Sequence, residues 1–215
     1  MPNLKEQYPE PYTYQQYEEL PEGVRLEIIG GVVYDMTASP LVKHQLIVVN
    51  LAALFYQFFK GKPCKPFVAP LDVVLDDINV VEPDVFVVCD QDKITEKNIK
   101  GAPDLVIEVL SPSNNVKDRR DKKWLYERHG VREFILISPM EENAERYWLL
   151  EGRYGSPDIF AWNETFASLL FPDLLFDLQD IFEKNDVVAE PDPIWLTSLA
   201  KDRNKPFDKQ HNAVK

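Results

Sequence analysis

The sequence predicts an α/β fold: a mixed sheet flanked by helices, with an antiparallel extension toward the C-terminus. Three observations predict it. Across residues 41–138 the order is helix, strand, strand, strand, helix, strand, the alternation of layered α/β domains. Two of those strands, 81–89 and 104–110, are almost continuously apolar, as strands covered on both faces are. Hydrophobic residues make up 45% of the 215, which suits one domain with a real core better than a disordered chain.

Residues 1–11 are polar and proline-rich and are expected to form an arm. Thr13 and Gln16 have capping-box spacing, with Tyr12 and Tyr17 placed as a hydrophobic staple. A short helix is therefore expected from Tyr14 to Leu20, stopped by Pro21. Arg25 to Ile29, Gly30-Gly31 and Val32 to Tyr34 read as a hairpin with Glu27 inside its first strand. From Leu41 to Lys60 the pattern is helical and apolar on most sides, so a largely buried helix is expected, ended by Gly61 and Pro63. Pro66 to Leu75 reads as one strand whose interior Pro70 implies an edge or a bulge.

Ser111 to Asn115 is turn and N-cap chemistry, opening a helix over 116–129 capped by Gly130. Val131 to Ser138 is a further strand, and 144–150 with 159–162 read as hairpin strands. Phe171 to Phe182 alternates weakly and closes the domain, expected to span 12–185. Residues 186–215 are Pro- and charge-rich and read as a tail.

Composition narrows the function classes. No apolar run reaches the length of a transmembrane segment, no secretory signal opens the chain, and no membrane partner is expected. Cys64 and Cys89 have no Cys-x-x-Cys spacing, so they read as lone cysteines in a cytoplasmic protein. The net charge of −12 excludes nucleic-acid binding through a broad basic surface. Any such contact must be local and salt-sensitive, and the densest basic patch is Lys117, Arg119, Arg120, Lys122 and Lys123. Its bland reading is a solvated helix face with internal ion pairs.

Charges interrupt the two apolar strands at Asp84, Asp104 and Glu108, against both strand propensity and burial. Asp104 and Glu108 are four residues apart on one strand, about 13 Å, and cannot share an ion. Asp84 and Glu108 lie on different strands; if these pair, about 4.8 Å separates them and the two carboxylates can converge on one cation. Oxygen ligands without a nearby Cys or His suit Mg²⁺ or Mn²⁺. Lys122 shares a helix face with Asp118 and Tyr126 and can reach the same place, although Asp118–Lys122 also has the spacing of a plain ion pair. Two carboxylates and a lysine at a sheet edge are the parts metal-assisted phosphodiester cleavage requires.

The segments Arg25-Leu26-Glu27 to Gly31, Pro40 to Gln45, Glu82-Pro83-Asp84 and Ala102 to Pro112 form one pattern with Asp118, Lys122, Tyr126 and Gly130 to Glu133. That pattern resembles the Putative restriction endonuclease family first catalogued as domain of unknown function 820. The family looks like a branch of the PD-(D/E)-x-K nuclease superfamily. The Pro-Asp dipeptide alone carries none of the resemblance, since it also occurs at Asp158, Asp173 and Asp192. The resemblance implies a restriction-endonuclease-like core, with Asp84, Glu108 and the Val109 carbonyl as metal ligands and Lys122 as the catalytic lysine. It further implies a place for Glu27 at the rim of the site, as a second metal or water ligand. The chain departs from the superfamily signature at Leu110, where a lysine two residues after Glu108 belongs; Lys122 matches the slot to which this family has moved it.

The expected activity is thus Mg²⁺-dependent hydrolysis of DNA phosphodiester bonds, by a homodimer because cutting both strands takes two sites. The alternative is a catalytically weak or inactive module that keeps the nuclease scaffold for binding or regulation, which the acidic charge and Leu110 favour. Nucleoside-triphosphate chemistry is disfavoured by the lack of a Gly-rich phosphate loop.

Overall fold

Thr13 caps α1 (Tyr14–Glu18) through the reciprocal bonds its spacing predicts: its hydroxyl accepts from the Gln16 amide, and the Gln16 side chain accepts from the Thr13 amide. The structure, a computed structural model, describes residues 8, 10–21, 23–36, 39–111 and 117–184, with backbone only at 117 and 118. All of them belong to the unit Met1–Lys184. The expected hairpin is β1 (Leu26–Ile29) and β2 (Val32–Asp35). Gly30 and Gly31 join them at φ of 60° and 78°, the left-handed backbone that a two-residue hairpin turn needs.

The chain continues through α2 (Val42–Phe59), β3 (Lys65–Val68), β4 (Val73–Asp76), β5 (Asn79–Val81), β6 (Val85–Val88), β7 (Ile99–Lys100) and β8 (Leu105–Val109). A π-helical stretch, Lys117–Lys122, leads into α3 (Lys123–His129), whose Gly130 cap is left-handed at φ 84°. Then follow β9 (Glu133–Ser138), β10 (Asn143–Leu150), β11 (Arg153–Tyr154), β12 (Asp158–Ala161), β13 (Thr165–Ala167), β14 (Leu175–Asp177) and α4 (Leu178–Ile181).

The fold is the expected mixed α/β arrangement. The larger sheet runs β11-β10-β9-β8-β6-β3, with β12 beside β10. Only β8 and β9 pair in parallel along this path. The smaller sheet runs β2-β1-β5-β4-β7. The antiparallel C-terminal extension consists of β10 to β12 and the β13–β14 ribbon.

Strands β6, β8 and β9 are buried along their whole length because alternate residues serve two cores. Val85, Val87, Ile107 and Ile135 face α2 through Ile47, Leu51, Phe55 and Phe59. Phe86, Val88, Val106, Phe134 and Leu136 face Leu125 and Tyr126 of α3, together with Ile29, Val73 and Val81 of the smaller sheet. The continuous apolar runs are explained by this double duty.

Four expectations are corrected. Residues 66–75 form not one strand but two, β3 and β4, in different sheets. Residues 81–89 likewise divide, since the chain crosses between sheets at Glu82-Pro83-Asp84. Helix α2 is buried on one face only: Val42, Val49 and Tyr56 are 77, 58 and 64% exposed. At 18 residues it is also long and apolar enough to cross a membrane by length and composition, although its inner face packs on the sheet. Finally, Cys64 and Cys89 form a disulfide. The antiparallel register that pairs Lys65 with Val88 brings their neighbours together, an adjacency that a separation of 25 residues hides. The expected N-cap segment 112–116 lies outside the described residues.

Candidate active site

The crossover at Glu82-Pro83-Asp84 delivers one acidic side chain to each sheet. Glu82 is buried and ion-paired with Arg25. Asp84 opens onto β6, where the antiparallel register pairs Val85 with Ile107. One further step along that register sets Asp84 across from Glu108. The Val109 amide donates to Asp84 Oδ2 at 2.8 Å. His44, in the first turn of α2, places Nε2 3.4 Å from the same oxygen. Asp84 Oδ1 has no hydrogen-bond partner among the described residues.

Lys122 closes the site from the other side. It is 2% exposed, and its Nζ lies 2.7 Å from Glu27 Oε1 and 2.9 Å from Glu108 Oε1. An ammonium taken out of water is tolerated only when paired and hydrogen-bonded, and two carboxylates supply this. Tyr126, four residues on and on the same helix face, donates its hydroxyl to Glu108 Oε1 at 2.6 Å. Burial, followed by the Glu108 carboxylate, pushes the Tyr126 pKa well above the usual phenol value, so the hydroxyl keeps its proton and remains a donor. Glu27 also accepts the Glu82 amide at 3.2 Å. Since β1 belongs to the smaller sheet and β8 to the larger, Lys122 ties the two sheets together at the site.

The family resemblance implies a place for Glu27 at the rim; the structure buries it completely. The apolar neighbours Leu26, Ile28 and Ile29 were the available signal for that burial. Tyr126, which the sequence places on the helix face of Lys122, is a direct partner of Glu108. Asp104 is structural, as its place at the start of a strand implies: it accepts from the Cys89 amide and pairs with Arg132. Of the basic patch, Arg119 is engaged by Glu141 and Glu145, and Arg120 by Asp121. The bland reading of internal ion pairs therefore holds for Arg120, while Arg119 pairs outside its own helix. The side chains of Lys117 and Asp118 lie outside the described residues.

The donors fit an oxygen-preferring divalent ion. Glu27, Asp84 and Glu108 against Lys122 leave a formal charge of −3 + 1 = −2. The carboxylate of Asp84 adds hard, anionic oxygen at the strand end across from Glu108. Among the described residues there is no cluster of three or more His, Cys, Asp and Glu side chains able to hold a metal, so an ion here would need ligands from backbone, water or substrate as well.

A comparison with family models decides the affiliation: residues 13–179 match the Uma2 family, described as "Putative restriction endonuclease". The chain belongs to that family. It is also 30% identical over 139 residues to "Uncharacterized protein slr1290" of Synechocystis sp., across 64% of this chain and 72% of that one. Among solved structures, a putative nuclease belonging to DUF820 from Anabaena variabilis superposes with a TM-score of 0.68 at 22% identity. The match covers 80% of this chain and 98% of that one. This Uma2 chain therefore shares its fold with a solved member of the group the sequence pattern resembles.

Proposed function

We propose that this Uma2 protein is an endonuclease that hydrolyses DNA phosphodiester bonds with Mg²⁺ or Mn²⁺. The observation that carries the reading is the buried Lys122 ammonium held between Glu27 and Glu108, with Asp84 on the adjacent strand. Asp84 and Glu108 would hold the ion, with the Val109 carbonyl as a further donor. When bound, such an ion lowers the pKa of a water and polarises the scissile phosphate. The protein's own groups do the rest. The Val109 amide and His44 hold Asp84 through Oδ2, and Tyr126 fixes Glu108. Lys122 sits where an N–H donor can orient the attacking water or stabilise charge developing on the phosphate. Glu27 holds that ammonium in place from the opposite sheet.

Two copies acting together suit cleavage of both strands of a duplex, and with a net charge of −12 any hold on phosphates must come from local Lys and Arg contacts, whose number sets its salt dependence. Metal linkage tests the site before any substrate is chosen. At a hundred times its Kd, a divalent ion stabilises the fold by about 2.7 kcal/mol. Thermal unfolding with and without Mg²⁺ or Mn²⁺ should show a rise in Tm that Asp84→Ala abolishes. No rise with either ion would favour the non-catalytic module.

A further inference from the structure

Helix α2 has two apolar faces, and the fold uses only one. His44, Ile47, Leu51, Phe55 and Phe59 point inward. On the opposite side Val42, Leu46, Val49, Ala53 and Tyr56 recur at intervals of 4, 3, 4 and 3 and are all exposed. That is the strict seven-residue repeat of a helix seam meant for another helix. A helix merely solvated on its outer side carries charge there. In α2, Lys43 is the one residue of Asp, Glu, Lys or Arg type, and it is held by Glu142.

We infer that this face is the interface between two copies of the chain, packed antiparallel about Val49. The inference rests on the proposed nuclease reading only for its purpose, since bringing two sites together serves double-strand cleavage. Three features of the surface select a second copy. The stripe is self-complementary in bulk. A two-fold axis at Val49 sets Leu46 of one copy beside Ala53 of the other, and Val42 beside Tyr56, so large meets small as an isologous contact requires.

The same operation brings Leu41, 56% exposed, toward a shallow apolar groove of about 370 Å³ between α2 and the edge strand β3, lined by Ala52, Tyr56, Pro66 and Val68. The area is also adequate. With Leu41 and Val68 the stripe exposes on the order of 600 Å² of apolar surface, close to the ~800 Å² each partner buries in a standard interface. Charge selects the same face. Copies of a chain carrying −12 repel one another, and an uncharged seam lets two of them approach without opposing carboxylates. Because His44 lies on the inner side of the same turn of α2, this interface would run alongside each active site.

Sedimentation velocity on the full chain at tens of micromolar, with intact wild type beside Val49→Glu, tests the inference without any cleavage assay. Wild type should sediment at twice the 24.9 kDa chain mass. Val49→Glu should sediment as a single chain with an unchanged circular dichroism spectrum, since Val49 touches no core. Cysteine placement tests the geometry: Val49→Cys should cross-link to itself on mild oxidation. Val42→Cys should cross-link to Tyr56→Cys in a mixture and not to itself. A wild-type monomer would overturn the inference, as would a dimer indifferent to Val49→Glu, or cross-linking of Val42→Cys to itself. A monomer that floats with anionic lipid vesicles, and loses this property in Val49→Glu, would assign the face to membrane instead. Failure of DNA cleavage by a confirmed dimer would count against the nuclease reading and leave the interface standing.

Discussion

Lys122 joins the stability of the site to the chemistry proposed for it. Its ammonium neutralises Glu27 and Glu108 inside a dry core, so removing it leaves two carboxylates facing each other. Breaking a buried pair in this way costs about 3–5 kcal/mol. Chemical denaturation of Lys122→Met should show a loss of that size, and adding Glu27→Gln should recover a large part of it by removing one stranded charge. Equal stability of the single and double variants would show that Glu27 does not bear on Lys122.

Asp72 offers an independent check on the electrostatics. Burial, then the neighbouring Glu82 carboxylate, raise its pKa to about 6, while Tyr17 and Arg25 partly oppose them. The folded state therefore holds a proton that the unfolded chain releases near pH 4. It follows that stability falls as pH rises from about 4 to about 6, and the loss persists above that range. Asp72→Asn should raise Tm at pH 8 and leave it nearly unchanged at pH 4. A variant no more stable than wild type at pH 8 would contradict this assignment.

Local elements were legible in the sequence because local chemistry decides them. The Thr13–Gln16 capping box, the Gly30-Gly31 hairpin and the Gly130 cap each depend on a few neighbouring residues and formed as read. Elements set by distant partners were not. Pro83 sits where one apolar run becomes two strands of different sheets, and Cys64 met Cys89 only through the β3–β6 register. That disulfide ties an edge strand to the strand beginning at Asp84. By loop-closure entropy a bridge of this span contributes about 3 kcal/mol. Reduction by a dithiol should lower Tm accordingly, and Cys64→Ser with Cys89→Ser should be insensitive to the reductant. An unchanged Tm on complete reduction, verified by thiol titration, would contradict that contribution.

At the scale of the molecule, two sheets meet across one lysine. The pairing of Asp84 with Glu108 was foreseeable once residues 81–89 and 104–110 were read as neighbouring strands. Glu27 matched the family pattern, but its pairing with Lys122 was not legible, because nothing near it in sequence announces that the smaller sheet folds over α3. The architecture also brings a lysine to Glu108 although Leu110 stands on the strand. The π-helical stretch before α3 carries Lys122 to the Glu108 carboxylate.

Plasmid cleavage at low salt with Mg²⁺ or Mn²⁺ tests this central claim most directly, comparing wild type, Asp84→Ala and Lys122→Ala. The predicted result is metal-dependent cutting that Asp84→Ala abolishes and Lys122→Ala slows by about 10²–10³-fold, the scale for losing a transition-state donor. Cutting lost in Asp84→Ala but undiminished in Lys122→Ala would contradict the assignment of the helix lysine. Wild type that cuts neither duplex nor single-stranded DNA with either ion would contradict the nuclease itself.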